Sequence, residues 1–346
     1  MLRLGEPRAG DFAYKRVVSL TTRAGRLAFG SSAEYDAPMP IRPTTIIEAP
    51  RLASRLGIDL FVASETFQHT GSFKFRAAWN LTSKVPQMRI ITASSGNFGQ
   101  ALACACGLLG KSATVVMPDT SAQVKVDAVR EYGGKADLID VRKTSRQRRI
   151  QELAQEDSGS YVASPYDDPL VIEGNATLGA ELAALNRRID FVLAPVGGGG
   201  LTSGLIQGLR TGQKPKATQV VGVEPEAAND AARSLAAGRI IANDTEPQTI
   251  ADGVRTVSLG QLNWQILQGG LAGIIEVTEE QIMEAVRLLF NLANLKVEPT
   301  GALAVAALLA APERFRGRSV CCVASGGNVD PAVFRSFLSI CAQMPV

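Results

Sequence analysis

The sequence predicts an α/β protein, because short apolar runs alternate with segments of helical periodicity along much of its 346 residues. Runs rich in Val, Ile and Ala, bounded by glycine and proline, are typical of parallel strands that helices cover on both faces. Three such runs lead directly into polar or glycine-rich loops: SSGN at 94–97, GGGG at 197–200 and SGGN at 325–328. Ligands of such sheets bind beyond the carboxyl ends of the strands, so we expect the functional site at these loops.

The predicted elements follow one another in strand–helix pairs. A strand in RIITASSG precedes a helix in NFGQALACACGLLG, and a strand in SATVVMPD precedes a helix in SAQVKVDAVREYGG. Farther along, DFVLAPVGGGG precedes a helix in LTSGLIQGLR, and ADLIDV, TQVVGVEP and SVCCVASGG are further strands. No internal repeat, low-complexity tract or linker in the sequence marks a domain boundary.

Composition argues against several classes of protein. With 46% hydrophobic residues, 20% charged residues and a net charge of +3, the chain is typical of a globular protein with a large core. The basic run at 142–149 lacks interleaved aromatic residues, so we interpret it as a solvated helix face or loop and expect no nucleic-acid partner. No apolar stretch reaches the length of a membrane span, and charge interrupts the first apolar residues, so we expect a cytoplasmic protein without membrane contact.

The five cysteines and the single histidine limit the chemistry. The cysteines are odd in number and lack CxxC spacing, so we expect buried free thiols rather than disulfides or a zinc site. His69 lies in a predicted turn without a G-x-S-x-G elbow, which argues against a Ser-His-Asp or Cys-His arrangement. Acid–base work must therefore fall to Lys, Ser, Asp, Glu or Tyr.

The glycine run at 197–200 predicts an anion site. Residues without Cβ let several N–H groups converge at a helix start, where the helix dipole favours negative charge. The run lacks the Gly-Lys-Ser/Thr ending of a P-loop, which disfavours a nucleoside triphosphate. A dinucleotide stays open, because Gly198 begins an approximate G-x-G-x-x-S and Glu224 ends the next predicted strand, as a ribose-binding acid would. A plain strand-to-helix turn is the structural alternative.

Lys74 lies in the stretch ETFQHTGSFKFRAAWN, flanked by Phe73 and Phe75 and without an acidic residue close to it in sequence. Burial of an ammonium lowers its pKa, which makes a neutral amine available to attack a carbonyl. A nucleophilic lysine together with a phosphate site fits pyridoxal 5′-phosphate, with a Schiff base at Lys74 and the phosphate in the glycine loop. Taken alone, SFKFR favours a surface lysine whose amine extends into solvent.

Several motifs occur in a fixed order: TGSFKFRAA, SSGNFGQALA, PVGGGGL, VGVEP, TIADGV, VEPTGALAVAA and SGGNVD. Together, over roughly residues 40–332, they resemble the fold type II pyridoxal-phosphate enzymes, and most of all the serine racemase and threonine (serine) dehydratase branch. The resemblance implies a tryptophan synthase β-like fold with two open, twisted, mostly parallel sheets and flanking helices. It also implies a large domain in two parts, 1–82 and 161–346, with a small domain at 83–160.

The resemblance implies roles for particular residues. Lys74 would hold the cofactor and then remove the substrate Cα proton, with the neighbouring phenylalanines packed beside the cofactor. Asn97 would bond the cofactor's ring hydroxyl, and Ser95 would face the other side of Cα. The substrate carboxylate would lie at Ser94, Ser95, Gly96, Asn97 and Phe98. The other cofactor contacts would be Phe73, Gly197, Gly198, Gly199, Gly200, Leu201, Asp252, Gly253, Glu298 and Ser325, the last of these beside the pyridine nitrogen.

A cation site is also implied by the resemblance. Glu224, the carbonyl of Ala228 and Asp230 would bind Mg²⁺ or Ca²⁺ together with water, the alternative being solvated loop carboxylates. In that case Glu224 is not a ribose-binding acid. The chain departs from its relatives at Phe98, where they usually carry histidine, and at Ala63, where they usually carry lysine, which puts the substrate in question more than the cofactor.

The implied reaction is dehydration and deamination of a β-hydroxy amino acid such as serine or threonine to a 2-oxo acid and ammonia. Racemisation through Lys74 and Ser95 would be a second activity, and the resemblance implies a homodimer. β-Replacement on the same cofactor, a dinucleotide-dependent oxidoreductase and a non-catalytic amino-acid-binding protein remain alternatives.

Overall fold

Two β-sheets organise the chain in a computed structural model that describes residues 41–94, 96–121, 123–211 and 218–339. The strands are β1 (Thr45–Glu48), β2 (Asp59–Ser64), β3 (Arg89–Ala93), β4 (Ser112–Pro118), β5 (Lys135–Ile139), β6 (Tyr161–Ala163), β7 (Phe191–Pro195), β8 (Gln219–Pro225), β9 (Leu271–Val277) and β10 (Ser319–Ala324). One sheet has the order β1-β2-β10-β7-β8-β9, and the other has the order β5-β4-β3-β6.

Helices follow most of the strands. They are α1 (Pro50–Leu56), α2 (Lys74–Lys84), α3 (Asn97–Leu108), α4 (Gln123–Glu131), α5 (Arg146–Glu156), α6 (Pro169–Ala184), α7 (Gly200–Arg210), α8 (Asp230–Ala237), α9 (Gln261–Gly270), α10 (Glu279–Ala293), α11 (Pro299–Ala310), α12 (Pro312–Phe315) and α13 (Pro331–Ser339). Short 3₁₀ helices lie at Glu226–Ala228 and Asp252–Val254. The strand–helix pairs predicted from the sequence are all present.

The sheets are parallel except at one edge. Only β1 runs antiparallel to its neighbour β2, among the strand pairs that the structure describes. In the six-stranded sheet Val62 of β2 lies opposite Cys322 of β10, and in the four-stranded sheet Ile91 of β3 lies opposite Thr114 of β4. The predicted α/β class with two mostly parallel sheets is therefore confirmed.

Core residues lie on both faces of the six-stranded sheet, and a separate core cluster packs beside the four-stranded sheet. Every residue of β10 is buried, as expected for a near-continuous apolar run in a doubly covered strand. Helix α11 is apolar all round and almost fully buried, and it packs on β7, β8, β9 and β10. Each large aliphatic side chain buried there contributes about 1.5–3 kcal/mol through the hydrophobic effect.

The four-stranded sheet is built from residues between Arg89 and Ala163. Its last strand, β6, begins directly after the predicted small domain, whose limits stay a prediction. Two ion pairs join helices next to this sheet to loops of the other: Lys125 of α4 with Asp252, and Arg146 of α5 with Glu246 at 2.7 Å.

The basic run at 142–149 is largely exposed and its arginines pair with carboxylates, for example Arg148 with Glu152 and Arg149 with Asp137. This agrees with a solvated helix face.

Four cysteines, at 104, 106, 321 and 322, carry free thiols, and Cys341 lies outside the described residues. Within the described part of the chain, no helix is long and apolar enough to cross a membrane.

Candidate active site

The segment before α2 and the loop after β10 lie side by side. The N–H of Phe73 donates to the carbonyl of Ser325 at 3.0 Å, and the N–H of Gly327 donates to the carbonyl of Gly71 at 2.9 Å. Ser72 also forms an isolated β-bridge with Gly326. These bonds bring the TGSFK and SGGN motifs together.

Close approach explains the glycines at this junction. Neither Gly326 nor Gly327 has a positive φ, so a turn conformation does not account for them. A Cβ on Gly326 would lie 2.6 Å from Oε1 of Glu298, and a Cβ on Gly301 would lie 2.4 Å from the carbonyl oxygen of Gly326. The glycines therefore leave room for Glu298 and for the backbone that precedes α11.

Lys74 is the first residue of α2, and its side chain is part-buried. Its Nζ donates to the carbonyl of Pro165 at 2.6 Å and lies 5.0 Å from the ring centroid of Phe73 and 5.7 Å from that of Phe98. Burial lowers the pKa of Lys74 to about 8, although the charge of Glu298 acts in the opposite direction. The amine is thus easier to deprotonate, as the sequence predicts, but an acid distant in sequence lies near it.

Only one of the two flanking phenylalanines lies near the amine. Phe75 is fully buried and its ring packs between those of His69 and Trp79, at centroid distances of 4.7 and 5.9 Å. The second ring near Nζ is that of Phe98 instead. Successive helical residues point about 100° apart, so the neighbours of a lysine in sequence need not share its surroundings.

Phe98 and Ala63, the two residues at which the chain departs from its relatives, lie in different core clusters. Phe98 packs in the core cluster of α2, α3 and β4, yet its ring reaches toward the amine. Ala63 is fully buried in the cluster of β2, β7 and β10. Of these two residues, only Phe98 has a described contact with a predicted catalytic group.

Asn97, the first residue of α3, belongs to a network of side chains. Its Nδ2 donates to Oε1 of Glu298 at 2.8 Å, and its Oδ1 accepts from Nδ2 of Asn328 at 2.9 Å. Glu298 is only 4% exposed, and burial, followed by the charge of Asp252, raises its pKa to about 8. A buried carboxyl and two amides therefore meet next to the lysine.

Ser94 of the predicted substrate loop accepts hydrogen bonds from the backbone at the start of α3. Its Oγ accepts from the N–H groups of Gly96 and Gly99 at 3.4 and 3.2 Å. Ser95 lies outside the described residues, so its location opposite Lys74 stays a prediction.

The loop at 197–200 has its carbonyl groups held by side chains of other helices. Nδ2 of Asn263 donates to the carbonyl of Gly198 at 2.8 Å, and Nδ2 of Asn175 donates to that of Gly200 at 3.1 Å. No side chain caps α7, which starts at Gly200 after Gly199 with φ 96°. The first N–H groups of a helix have no partner within it, so this loop can hold a phosphate.

Neighbouring residues press closely on this loop. A Cβ on Gly198 would lie 2.2 Å from the ring of Tyr166, and a Cβ on Gly197 would lie 3.0 Å from Cα of Val254. Leu201 is buried behind it. The sequence predicted the glycines, but the contacts of Asn175, Asn263 and Tyr166 carry no local signal from which they could have been found.

Ser325 and Asp252 complete the predicted set. Ser325 is 1% exposed, and its Oγ has no hydrogen-bond partner among the described residues. A buried hydroxyl without a partner is rare, and it fits a site for a polar ligand atom such as a ring nitrogen. Asp252 pairs with Lys125, and the N–H of Gly253 donates to Oγ1 of Thr300 at 2.9 Å. These features together fit pyridoxal phosphate.

The predicted cation loop contains two buried carboxyls. Glu224 and Asp230 are 0% and 1% exposed, and Oδ2 of Asp230 has no partner among the described residues. Burial raises the pKa of Asp230 to about 6, and burial and the charge of Asp230 raise that of Glu224. The described residues hold no group of three or more acidic, histidine or cysteine ligands, so a cation here needs a backbone carbonyl and water.

Glu224 also bears on the dinucleotide alternative. Its carboxylate accepts from the N–H groups of Ala231 and Ala232 at 3.1 and 2.9 Å, at the start of α8. A fully buried carboxylate engaged in this way is not open to a ribose hydroxyl. The geometry therefore gives the oxidoreductase interpretation no support.

Comparisons with known proteins show the family of this chain. The model of the family described as "Pyridoxal-phosphate dependent enzyme" matches residues 38–326. A β-hydroxyaspartate dehydratase of Paracoccus denitrificans is 38% identical, over 84% of this chain and 92% of the relative. A serine racemase of Schizosaccharomyces pombe is 34% identical, over 86% of this chain and 92% of the relative.

A solved structure, the threonine deaminase of T.th., is 41% identical and has a TM-score of 0.78, covering 83% of this chain and 92% of its own. The family model spans most of the chain and includes Lys74, Asn97, the glycine loop and Ser325. This chain belongs to the family of pyridoxal-phosphate dependent enzymes.

Proposed function

We propose that this enzyme dehydrates and deaminates a β-hydroxy amino acid to a 2-oxo acid and ammonia. The observation that carries the proposal is the surroundings of Lys74. Its Nζ lies between two aromatic rings, has a lowered pKa and shares one region with the unpartnered hydroxyl of Ser325. The names of the relatives, a dehydratase, a racemase and a deaminase, support the same reaction class.

The cofactor, when bound, supplies an electron sink for the bonds of the substrate Cα. The N–H groups of the loop at 197–200 would bind its phosphate, Asn97 would donate to its ring oxygen and Ser325 would meet its ring nitrogen. A serine hydroxyl cannot keep that nitrogen protonated as a carboxylate would. Ser325 in place of a carboxylate would therefore favour prompt loss of the β-hydroxyl from the substrate.

Lys74 would act as the base for the Cα proton. Because burial lowers the pKa of Lys74 to about 8, its free Nζ can accept that proton, and the carbonyl of Pro165 accepts a hydrogen bond from Nζ and orients it. Elimination needs only this one base. Racemisation needs a second group on the opposite face, for which Ser95 remains the predicted residue.

The first experiment tests the cofactor and the reaction together. Purified enzyme should absorb in the visible range from a Schiff base, lose that absorbance with borohydride and form 2-oxo acid from a panel of serine, threonine and 3-hydroxyaspartate. Lys74→Ala should abolish turnover and the Schiff-base absorbance while the fold stays intact. Retained Schiff-base absorbance in Lys74→Ala would contradict the role of this residue.

Racemisation can be followed in the same assay. Both enantiomers and the 2-oxo acid are measured in one progress curve. Ser95→Ala should remove racemisation while dehydration of the L-substrate continues. Racemisation that survives in this variant would show that Ser95 is not the second base.

We infer that Phe98 shapes the substrate pocket. An apolar ring in place of a polar one rewards added carbon on the substrate, at about 1–3 kcal/mol per methylene group in a hydrophobic pocket. Values of kcat/KM should therefore rise from serine to threonine and phenylserine. A clear preference for serine would mean that Phe98 serves only to pack α3 against α2.

We also propose that Glu224, the carbonyl of Ala228 and Asp230 bind Mg²⁺ or Ca²⁺. Two buried carboxyls that raise each other's energy when ionised, one with an unpartnered oxygen, support a cation between them. Because the pKa of Asp230 is raised from 3.8 to about 6, the metal-free enzyme should lose stability as pH rises through that interval.

The cation proposal is tested by melting at pH 7.5. Added cation should raise Tm and a chelator should lower it. Asp230→Asn should stabilise the metal-free enzyme and abolish the response to cation. A wild-type Tm that ignores both cation and chelator would leave Glu224 and Asp230 as a buried acid pair only.

A homodimer and a cytoplasmic location complete the proposal. Free thiols at the four described cysteines are consistent with a reducing compartment. Light scattering coupled to gel filtration measures the oligomeric state directly, and a monomeric mass would contradict the dimer.

A further inference from the structure

The amide of Asn97 is held in one orientation by a chain of hydrogen bonds that starts at a backbone carbonyl. Nδ2 of Asn328 donates to the carbonyl oxygen of Thr70 at 2.7 Å, and a carbonyl oxygen can only accept. The same Nδ2 donates to Oδ1 of Asn97 at 2.9 Å. Oδ1 of Asn97 is therefore on the Asn328 side, and Nδ2 is on the side of Glu298, to which it donates at 2.8 Å.

This orientation of the Asn97 amide determines which of its atoms can bind a ligand. Its NH₂ group has two hydrogens, and one of them is taken by Glu298. The other hydrogen is a donor, so a ligand atom that meets it must accept. Without the carbonyl of Thr70 at the start, either orientation of the amides would satisfy the same pairs of atoms.

We propose that Asn328 and Glu298 are positioning residues that fix the Asn97 amide so that its remaining N–H faces the cofactor's ring oxygen and holds that oxygen deprotonated. The inference rests on the proposed function, because it takes Asn97 as the partner of that oxygen. It gives Asn328 a positioning role, although the sequence predicts no role for this residue. It gives the same role to Glu298, which the sequence predicts only as a cofactor contact.

The glycines around the network support this assignment. Gly71 has φ 72°, and a Cβ there would lie 2.4 Å from Oδ1 of Asn328. A Cβ on Gly326 would lie 2.6 Å from Oε1 of Glu298. The chain thus lacks a side chain at the two positions where one would push Asn328 or Glu298 away from Asn97.

The charge state of Glu298 fits an accepting role. Lys74, Lys125 and Lys296 favour its carboxylate, whereas Asp252 and burial disfavour it, with burial the largest cause. At pH 7 the carboxyl is thus mostly protonated, and it accepts from Asn97 through its carbonyl oxygen. Glu298→Gln, which keeps such an oxygen, is therefore the conservative variant, and Glu298→Ala is the disruptive one.

The test measures the cofactor rather than turnover. Cofactor-free enzyme is titrated with pyridoxal phosphate, and Kd is measured with the ratio of the long- to the short-wavelength absorption bands, which reports where the ring proton resides. Asn328→Ala and Glu298→Ala should each weaken binding by about 5- to 20-fold and shift absorption to the short-wavelength band, since a neutral buried hydrogen bond is worth about 1 kcal/mol or somewhat more. Glu298→Gln should retain the parent ratio.

A polarity reversal sharpens the test. Asn328→Asp places an acceptor opposite the carbonyl of Thr70 and Oδ1 of Asn97, so it should turn the Asn97 amide and shift the bands further than Asn328→Ala. Melting verifies that each variant folds, and the alanine variants carry the test if the aspartate variant does not. Asn291→Ala and Glu313→Gln, at exposed positions, are the matched controls.

An Asn97→Ala background separates positioning from general support of the fold. In that background, Asn328→Ala and Glu298→Ala should change Kd and the band ratio less than twofold, because they act through Asn97. Equal effects in both backgrounds, or an unchanged band ratio in all the single variants, would overturn the inference. A parent enzyme that shows no Schiff-base absorbance would contradict the proposed function itself, which is a different result.

Discussion

Two glycine-rich loops follow the neighbouring strands β7 and β10. They differ in how their backbone is hydrogen-bonded to the rest of the protein, and therefore in whether the backbone or a side chain is available to a ligand. At 197–200 the side-chain amides of Asn263 in α9 and Asn175 in α6 donate to the carbonyl groups of Gly198 and Gly200, and backbone N–H groups are the proposed contacts to the cofactor. At 325–328 the backbone is paired with residues 71–73, and the side chain of Ser325 is the proposed contact.

The comparison shows that one local signature can serve two kinds of recognition. Both loops are strand-to-loop junctions rich in glycine, and both place glycine where a neighbour approaches closely. Whether the backbone or a side chain is available to a ligand depends on which residues form hydrogen bonds with the backbone of the loop. That partner comes from distant segments, so it is set by the fold and not by the loop itself.

The largest expected effect comes from filling the space at Gly326. Gly326→Ala puts a Cβ 2.6 Å from Oε1 of Glu298 and 3.0 Å from Cβ of Ser72. We expect a loss of roughly 1–3 kcal/mol in stability from overpacking and about a 100-fold loss of kcat/KM from misplaced groups. Denaturant unfolding and 2-oxo acid formation measure the two effects.

Gly269 is the matched control for this change. It lies in α9, and a Cβ there would meet no atom within 4 Å. Gly269→Ala should leave activity unchanged and stabilise the helix by up to about 1 kcal/mol. If Gly326→Ala left stability and kcat/KM as high as Gly269→Ala does, the expectation that close packing at the loop after β10 supports activity would be contradicted.

A pH titration should distinguish the loops, because the loop after β10 has a buried acid beside it. The pKa of Glu298 is raised from 4.5 to about 8, so the folded state keeps a proton that the unfolded chain has lost. Stability of the cofactor-free enzyme should fall across that interval by up to about 1.4 kcal/mol per pH unit. Melting of Glu298→Gln across the same interval should lack this contribution, and identical pH profiles would contradict it.

Removing an amide behind the glycine loop should affect phosphate binding alone. Asn263→Ala removes hydrogen bonds to the carbonyls of Gly198 and Tyr166, each worth about 1 kcal/mol, although the carbonyl of Gly198 keeps its bond from the N–H of Gly260 at 3.0 Å. The Kd of pyridoxal phosphate should rise about 5- to 30-fold. The Kd of pyridoxal, which lacks the phosphate, should change little, and equal losses for both compounds would contradict the assignment of this loop.

The smallest effect is expected at Ser325. Its hydroxyl has no described partner, so Ser325→Ala should raise the stability of the cofactor-free enzyme by about 1 kcal/mol. Bound cofactor should reverse this gain, because the hydroxyl then has a partner. Ser336→Ala, on an exposed face of α13, should respond equally with and without cofactor.

The sequence predicted those features that are carried by local pattern. Strand–helix alternation located the sheets, and the motifs placed Lys74, Asn97 and Ser325 at loops that the structure brings together. Glu298 was expected at the cofactor, but its charge acting on Lys74 was not, because the two lie in distant segments. Asn263 and the carbonyl of Thr70 were missed because their contacts form only in the folded chain and leave no spacing to recognise.

The backbone bonds between residues 71–73 and the loop after β10 also bear on how such an enzyme diversifies. They hold the start of α2, where Lys74 lies, against the loop that carries Ser325 at the end of β10. Phe98 follows β3 and belongs to the other sheet. If Phe98 contacts the substrate as proposed, we expect substitution there to change the substrate preference while the backbone bonds between residues 71–73 and the loop after β10 stay intact.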